Sequence, residues 1–144
     1  MNTPSSLSPV GGAGTGGVYA LDTSVLILSL RGDATIRARI AQATALFIPS
    51  VALGELYTGA YGSPTRANDA VADIRALATS MTILAVDATT ADIYGQARDD
   101  LRRRHLFLPD NDLWIAATAI QYGLTLAARD AHFTWIATLS SEQW

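Results

Sequence analysis

The chain contains no cysteine and no lysine. The first absence excludes a disulfide framework and any thiolate metal site; it accords with a reducing compartment, so a cytoplasmic location is the expectation. The second means that all ten basic residues are arginine. The planar, permanently charged arginine fork suits phosphate contacts, although a compositional bias of the source genome is the plainer explanation. No apolar run approaches the ~20 residues of a membrane helix. The amino-terminal residues lack a positive side chain ahead of an apolar stretch, so they do not read as a secretory leader. Charged residues are scarce at 16%, which excludes a disordered polyelectrolyte. With a net charge of −3 the chain as a whole does not attract nucleic acid. Any such surface must be local, or built with metal ions or a second subunit.

What is present suits one compact domain: 144 residues, 49% of them hydrophobic. Residues 1–17 are rich in Gly, Ser, Pro and Thr without a charge and read as a flexible tail, leaving 18–144 as the domain. Gly12, Gly14 and Gly17 fit G-x-G-x-x-G, but a dinucleotide fingerprint follows a strand and opens a helix, and this one does neither. Val18–Leu21 reads as a first strand, and Asp22, Thr23 and Ser24 lead from it into a helix ending near Gly32. A helical segment over 34–43 follows, then a strand over 45–48 and a helix over 51–61 with Ser50 as its cap. The clearest helical stripe is Ala67, Ala70, Val71, Ile74, Leu77, Ala78 and Met81. Beyond it lie a strand over 82–86, a helix over 87–105 with Ile93, Tyr94, Ala97 and Leu101 inward, an apolar helix over 113–122, a strand over 124–128, a short helix over 133–136 and a last strand over 137–139. Strands alternating with helices predict an α/β fold: a single domain with a mostly parallel sheet of four to five strands and helices on both faces.

Four acids occupy positions where a solvated surface acid has no reason to be. Asp22 ends the first strand, Asp130 follows the fourth, Asp112 opens an apolar helix, and Glu55 shares a helix face with the small residues Ala52 and Gly59. In a parallel α/β sheet ligands gather at the carboxyl ends of the strands, near the point where strand order reverses. Carboxylates converging there repel one another and take up protons unless a cation neutralises them. Mg²⁺ or Mn²⁺ is the natural partner, being hard and favouring oxygen. Carboxylates with such a cation point to hydrolysis of a phosphodiester, because the metal activates water and stabilises charge on a phosphoryl oxygen. Each acid has a plainer alternative. Asp22 can cap a helix, Asp110, Asn111 and Asp112 can form an N-cap cluster, Asp130 can be a turn residue, and Glu55 can face solvent.

Other constellations carry less. Paired histidines serve acid–base ribonucleases, but nothing brings His105 to His132, and both read as surface or packing residues. The run Arg102–Arg104 sits in a last helical turn, where cations suit the dipole. Ser24 and Ser50 lack a nucleophile elbow. Trp114, Trp135 and Trp144 read as core or dimer-contact residues.

The four acids lie in segments that resemble a known family. Residues 19–25 (YALDTSV) resemble the opening of PIN domains, and 48–59 (IPSVALGELYTG) their second motif, with Glu55 as its acid. Residues 108–119 (LPDNDLWIAATA) are very similar to the third motif, in which Asp112 precedes the Ile-Ala-Ala helix, and 124–133 (LTLAARDAHF) resemble the fourth, with Asp130. The order and spacing match from Val18 onward, and the nearest subgroup is the VapC-type toxins of prokaryotic toxin–antitoxin pairs. The resemblance implies a Mg²⁺- or Mn²⁺-dependent endoribonuclease, usually a homodimer, acting on structured RNA such as tRNA or rRNA. It implies restraint by a small VapB-type antitoxin that inserts a basic side chain among the acids. Asp22 and Asp112 match metal ligands, Glu55 an acid that binds metal or orients water, and Asp130 the more variable fourth acid. Two departures stand out. Ala128 replaces a Ser or Thr common two residues before the fourth acid, and Asp110 adds an acid that reads as a cap. The rivals are a PIN nuclease of RNA maturation or of single-stranded DNA, and a PIN-like module that binds without cutting.

Overall fold

The computed structural model describes residues 16–144. Among these the chain forms five strands and six α-helices. β1 (Val18–Leu21) leads into α1 (Thr23–Leu30) and α2 (Ala34–Gln42), then β2 (Ala45–Pro49), α3 (Ser50–Tyr61) and α4 (Ala67–Ser80). β3 (Thr82–Leu84), α5 (Ala88–Arg103), α6 (Asp110–Gln121), β4 (Thr125–Ala128), a 3-10 turn (Ala131–Trp135) and β5 (Ser141–Gln143) complete it. The strands form one sheet in the order β3-β2-β1-β4-β5, and every pairing is parallel. The mostly parallel sheet of four to five strands is therefore borne out. The chain moves outward from β1 to β3, then returns to lay β4 on the other side of β1, so strand order reverses between β1 and β4. The rule of right-handed crossovers predicts α1–α4 on one face and α5 and α6 on the other.

The core follows from the strands' apolar runs. Ala20, Leu21, Ile48, Leu126 and Ala127 are fully enclosed, as strands covered on both faces must be. Helices supply Leu26, Leu101, Leu113 and Ile115. The stripe predicted on α4 is the one it buries, with Val71 and Ile74 innermost. On α5 Leu101 is enclosed, but Ile93, Tyr94 and Ala97 are only half-buried and Thr90 takes the other inward place. No helix among the described residues is long and apolar enough to cross a membrane.

Several boundaries differ from the sequence reading. Ser50 is the first residue of α3 and caps nothing; the strand ends in Pro49, whose extended backbone passes directly into the helix. β3 stops at Leu84, two residues short of the expected end, and Asp87 caps α5 through a reciprocal box with Thr90. α6 begins at Asp110, not at 113, which puts Asp110 and Asp112 inside its first turn. The last strand is not 137–139 but Ser141–Gln143. Its register against β4 is set by Trp144 N–H donating to the Ala128 carbonyl at 3.0 Å and by Tyr19 Oη donating to Glu142 at 3.0 Å. Residues 1–15 of the expected tail lie outside the described residues. Gly16 and Gly17 bond to Gln42 and Thr44, beside the start of β2.

Candidate active site

The switch point between β1 and β4 fixes two of the acids. Asp22 follows β1, and its amide donates to the Ala127 carbonyl of β4 at 3.0 Å, so the ladder holds it beside the end of that strand. Asp130 follows two residues after β4 ends. The amino-terminal half of α3 contributes Glu55, and the first turn of α6 contributes Asp112. Asp22, Glu55, Asp112 and Asp130 thus line one cleft of about 430 Å³, with Thr23, Ser24, Ile27 and Arg129. A hollow of about 470 Å³ lies at the opposite, amino-terminal edge of β2 and β3, and no acid lines it.

Asp22 is the most enclosed of the four, at 5% exposure. Its Oδ2 accepts from the Ser24 hydroxyl at 2.9 Å, while Oδ1 is buried without a hydrogen-bond partner. Although it precedes α1, its side chain makes no cap bond. Burial pushes its carboxyl above the usual range. The Ser24 hydroxyl and the nearby Thr23 and Ser24 amides pull the other way, and Asp130 adds to the rise. A buried carboxylate oxygen left without a donor is costly unless a cation supplies the missing charge. Asp112 is raised to about 6, first by burial and then by facing Asp22, Glu55 and Asp130. All three other acids therefore act on this one carboxyl. Glu55 is held by Thr23 Oγ1, which donates to its Oε1 at 3.0 Å. Asp130 accepts from the His132 amide at 2.9 Å and lies 3.2 Å from His132 Nδ1.

The donor set is oxygen only, which suits a hard divalent cation. Among the described residues no three Asp, Glu or His side chains are gathered closely enough to chelate an ion by themselves. Such a spacing fits a cation that keeps most of its water and takes one or two carboxylates directly, as Mg²⁺ does. The orphaned Asp22 oxygen and the raised Asp112 carboxyl are the two features such an ion would relieve.

Asp110 does not cap α6, contrary to the expectation. Its Oδ1 accepts from Tyr94 Oη and from Arg98 Nη2, both at 2.8 Å, and Arg98 Nη1 also donates to the Leu108 carbonyl at 2.9 Å. Tyr94 stacks on Trp114 with centroids 4.0 Å apart, so Trp114 packs within the chain, half-buried. This clamp ties the start of α6 to α5 and thereby aims Asp112. The Arg98 side chain is only 13% exposed, so its bonds are worth more than those of a surface pair. Arg98→Met is expected to cost about 1–3 kcal/mol of stability and to lower activity without abolishing it; denaturant melts and initial rates check this.

Some of the residues in or beside the cleft escaped the sequence reading. Thr23 and Ser24, read only as leading from the first strand into a helix, spend their hydroxyls on Glu55 and Asp22. His132 looked like packing, yet it both holds Asp130 and stacks on Trp135, 4.4 Å away. It does not meet His105, whose exposed side chain follows α5 at φ 57°. The arginine run is engaged in part, since Arg103 pairs with Asp99 and Arg104 with Asp100.

Comparison with known proteins agrees with this geometry. The PIN domain profile matches residues 19–139. Ribonuclease VapC2 of Haemophilus influenzae is 30% identical over 129 residues, covering 88% of this chain and 97% of the relative. The crystal structure of DNA-bound VapBC from Salmonella typhimurium superposes with a TM-score of 0.81 at 26% identity, over 88% of this chain and 97% of that one. VapBC-5 from Mycobacterium tuberculosis, a member of the VapBC family of toxin-antitoxin systems, gives 0.70 at 28% identity over 88% and 96%. With five parallel strands, four acids at the switch point and this match across most of its length, the chain belongs to the PIN domain family.

Proposed function

We propose that the protein is a divalent-metal-dependent endoribonuclease, the toxin of a type II toxin–antitoxin pair. The observation that carries this reading is the convergence of Asp22, Glu55, Asp112 and Asp130 on one cleft, with burial and the other three acids pushing the Asp112 carboxyl up to about 6. Carboxylates so arranged are poised to exchange protons for a divalent cation. Asp22 and Asp112 are the residues that would hold Mg²⁺ or Mn²⁺, with Glu55 and Asp130 completing the charge around it. The cation would supply charge neutralisation and Lewis acidity toward a phosphoryl oxygen. The chain's own groups do the rest. Thr23 fixes Glu55 so that its carboxylate can orient water, Ser24 fixes Asp22, and His132 restrains Asp130.

The name of the Haemophilus relative, a ribonuclease, supports RNA as the substrate, and structured RNA such as tRNA or rRNA is the class expected. The VapBC complexes among the structural neighbours support a VapB-type antitoxin as partner. A second groove of about 310 Å³ shares Ile27 and Glu55 with the acid cleft and is lined by Leu30, Leu56, Ala60 and Ile74. It suits an apolar antitoxin segment whose basic side chain reaches the acids. Self-association into a homodimer would cover apolar surface such as Phe107, which is 73% exposed.

The test is incubation of the purified full chain with total tRNA and rRNA. Cleavage is expected with Mn²⁺ or Mg²⁺, none with EDTA, and recovery when the metal is restored. Undiminished cutting in EDTA would refute the metal reading, and no cutting of any RNA would leave a binding module.

A further inference from the structure

The cleft that must receive a polyanion is lined by four carboxylates and one cation, Arg129. The residue is exposed and immediately precedes Asp130, at the end of β4. A guanidinium beside four carboxylates would be expected to fall onto one of them. It falls on none of the four, because Nη1 donates to the main-chain oxygen of Trp144 at 2.9 Å. Gln143 Nε2 donates in turn to the Arg129 carbonyl at 3.1 Å. The pairing of β5 with β4 therefore tethers this arginine on the rim of the cleft. Among the described residues no Asp or Glu side chain reaches it, and the Trp144 main-chain oxygen is its side chain's single hydrogen-bond acceptor. A guanidinium has five N–H donors, so most of them are unspent.

We propose that Arg129 grips a phosphate of the RNA strand beside the scissile bond. This rests on the ribonuclease reading above. The acids, even when neutralised by a cation, give no attraction for the phosphates flanking the one under attack. Arginine's planar fork can donate two parallel bonds to one phosphate, and its tether removes most of the freedom that binding would otherwise cost. The same tether keeps it from quenching the carboxylates.

The test uses binding without cutting. In an Asp112→Asn background, the affinity for a labelled mixed-sequence single-stranded RNA is measured against salt concentration. Adding Arg129→Gln should weaken binding roughly five- to tenfold near 0.1 M salt and flatten the log–log salt slope by about 0.7, the value for one phosphate contact on a single strand. Arg129→Lys should keep the slope and recover part of the affinity, since it keeps the charge but not the fork. Arg75→Gln, on α4 and outside the cleft, should change neither. An unchanged slope in Arg129→Gln, or an equal flattening in Arg75→Gln, overturns the inference. So does a loss in both Arg129 variants that follows only a fall in melting temperature, because the residue would then merely fasten β5. Cleavage of total RNA by the parent protein with Mn²⁺ is run alongside. If the parent cuts and the slope is unmoved, this inference alone fails; if the parent does not cut, the ribonuclease reading fails with it.

Discussion

Asp22→Asn is expected to abolish RNA cleavage and to raise the melting temperature of the metal-free protein. The two effects have one cause. Asp22 is 5% exposed, with one carboxylate oxygen unpartnered, so its charge is a burden on the fold that a cation or a proton relieves. An amide keeps the acceptor for the Ser24 hydroxyl and is cheaper to bury. The gain is on the order of 1 kcal/mol, or roughly 3–5 °C for a domain of this size. The loss of activity is larger. Charge stabilisation by a bound metal is worth several kcal/mol, which amounts to roughly a hundred- to thousandfold in rate or more. Asp112→Asn should lose comparable activity with a smaller thermal gain, because Asp112 is only half-buried. Calorimetry and single-turnover cleavage on the same preparations decide the matter. A variant that is both less stable and still active would remove Asp22 from the metal site.

The second large effect is on pH. An unfolded aspartate titrates near 3.8, whereas Asp112 is raised to about 6 and Asp22 is raised as well. Between those values the folded chain binds more protons than the unfolded one, so its stability falls as pH rises through that window. The metal-free protein should therefore melt higher at pH 5 than at pH 7, the reverse of acid denaturation. Solvent screens part of the Asp112 contribution, so the direction is the test. Millimolar Mn²⁺ should invert the order, because it stabilises the deprotonated cleft. Its affinity should weaken below about pH 6, where protons compete for the same oxygens. Melting curves at both pH values, with and without Mn²⁺, measure this, and a metal-free protein more stable at pH 7 would contradict it.

The parts of this molecule legible in the sequence are those written in local pattern. Val18–Leu21, the α4 stripe and the helix starting near Asp112 need only neighbours within a few residues. Parallel topology then makes Asp22 and Asp130 meet at the switch point. What was not legible depends on partners far along the chain. Asp110 resembled a cap because nothing nearby reveals Arg98, twelve residues earlier, and Tyr94, sixteen residues earlier, as its donors. The last strand was assigned to the apolar residues 137–139, yet Ser141–Gln143 forms it, a polar edge segment held by backbone ladder and by Tyr19. The place of Arg129 in the cleft depends on that strand, so it was hidden for the same reason. Ala128, noted as lacking a hydroxyl, is 3% exposed at the end of β4 and serves the sheet through its carbonyl.

The central strand β1 is paired on one side by β2 and on the other by β4, whose register sets Tyr19 opposite Thr125. These two residues are separated by more than a hundred positions, and loop closure over such a span comes late in folding. Until β4 docks, Asp22 has no neighbour at the reversal of strand order and Asp130 has no address. The cleft is therefore a late product of folding: its acids stay apart while β1 is paired with β2 alone, and they converge only once β4 has found its place.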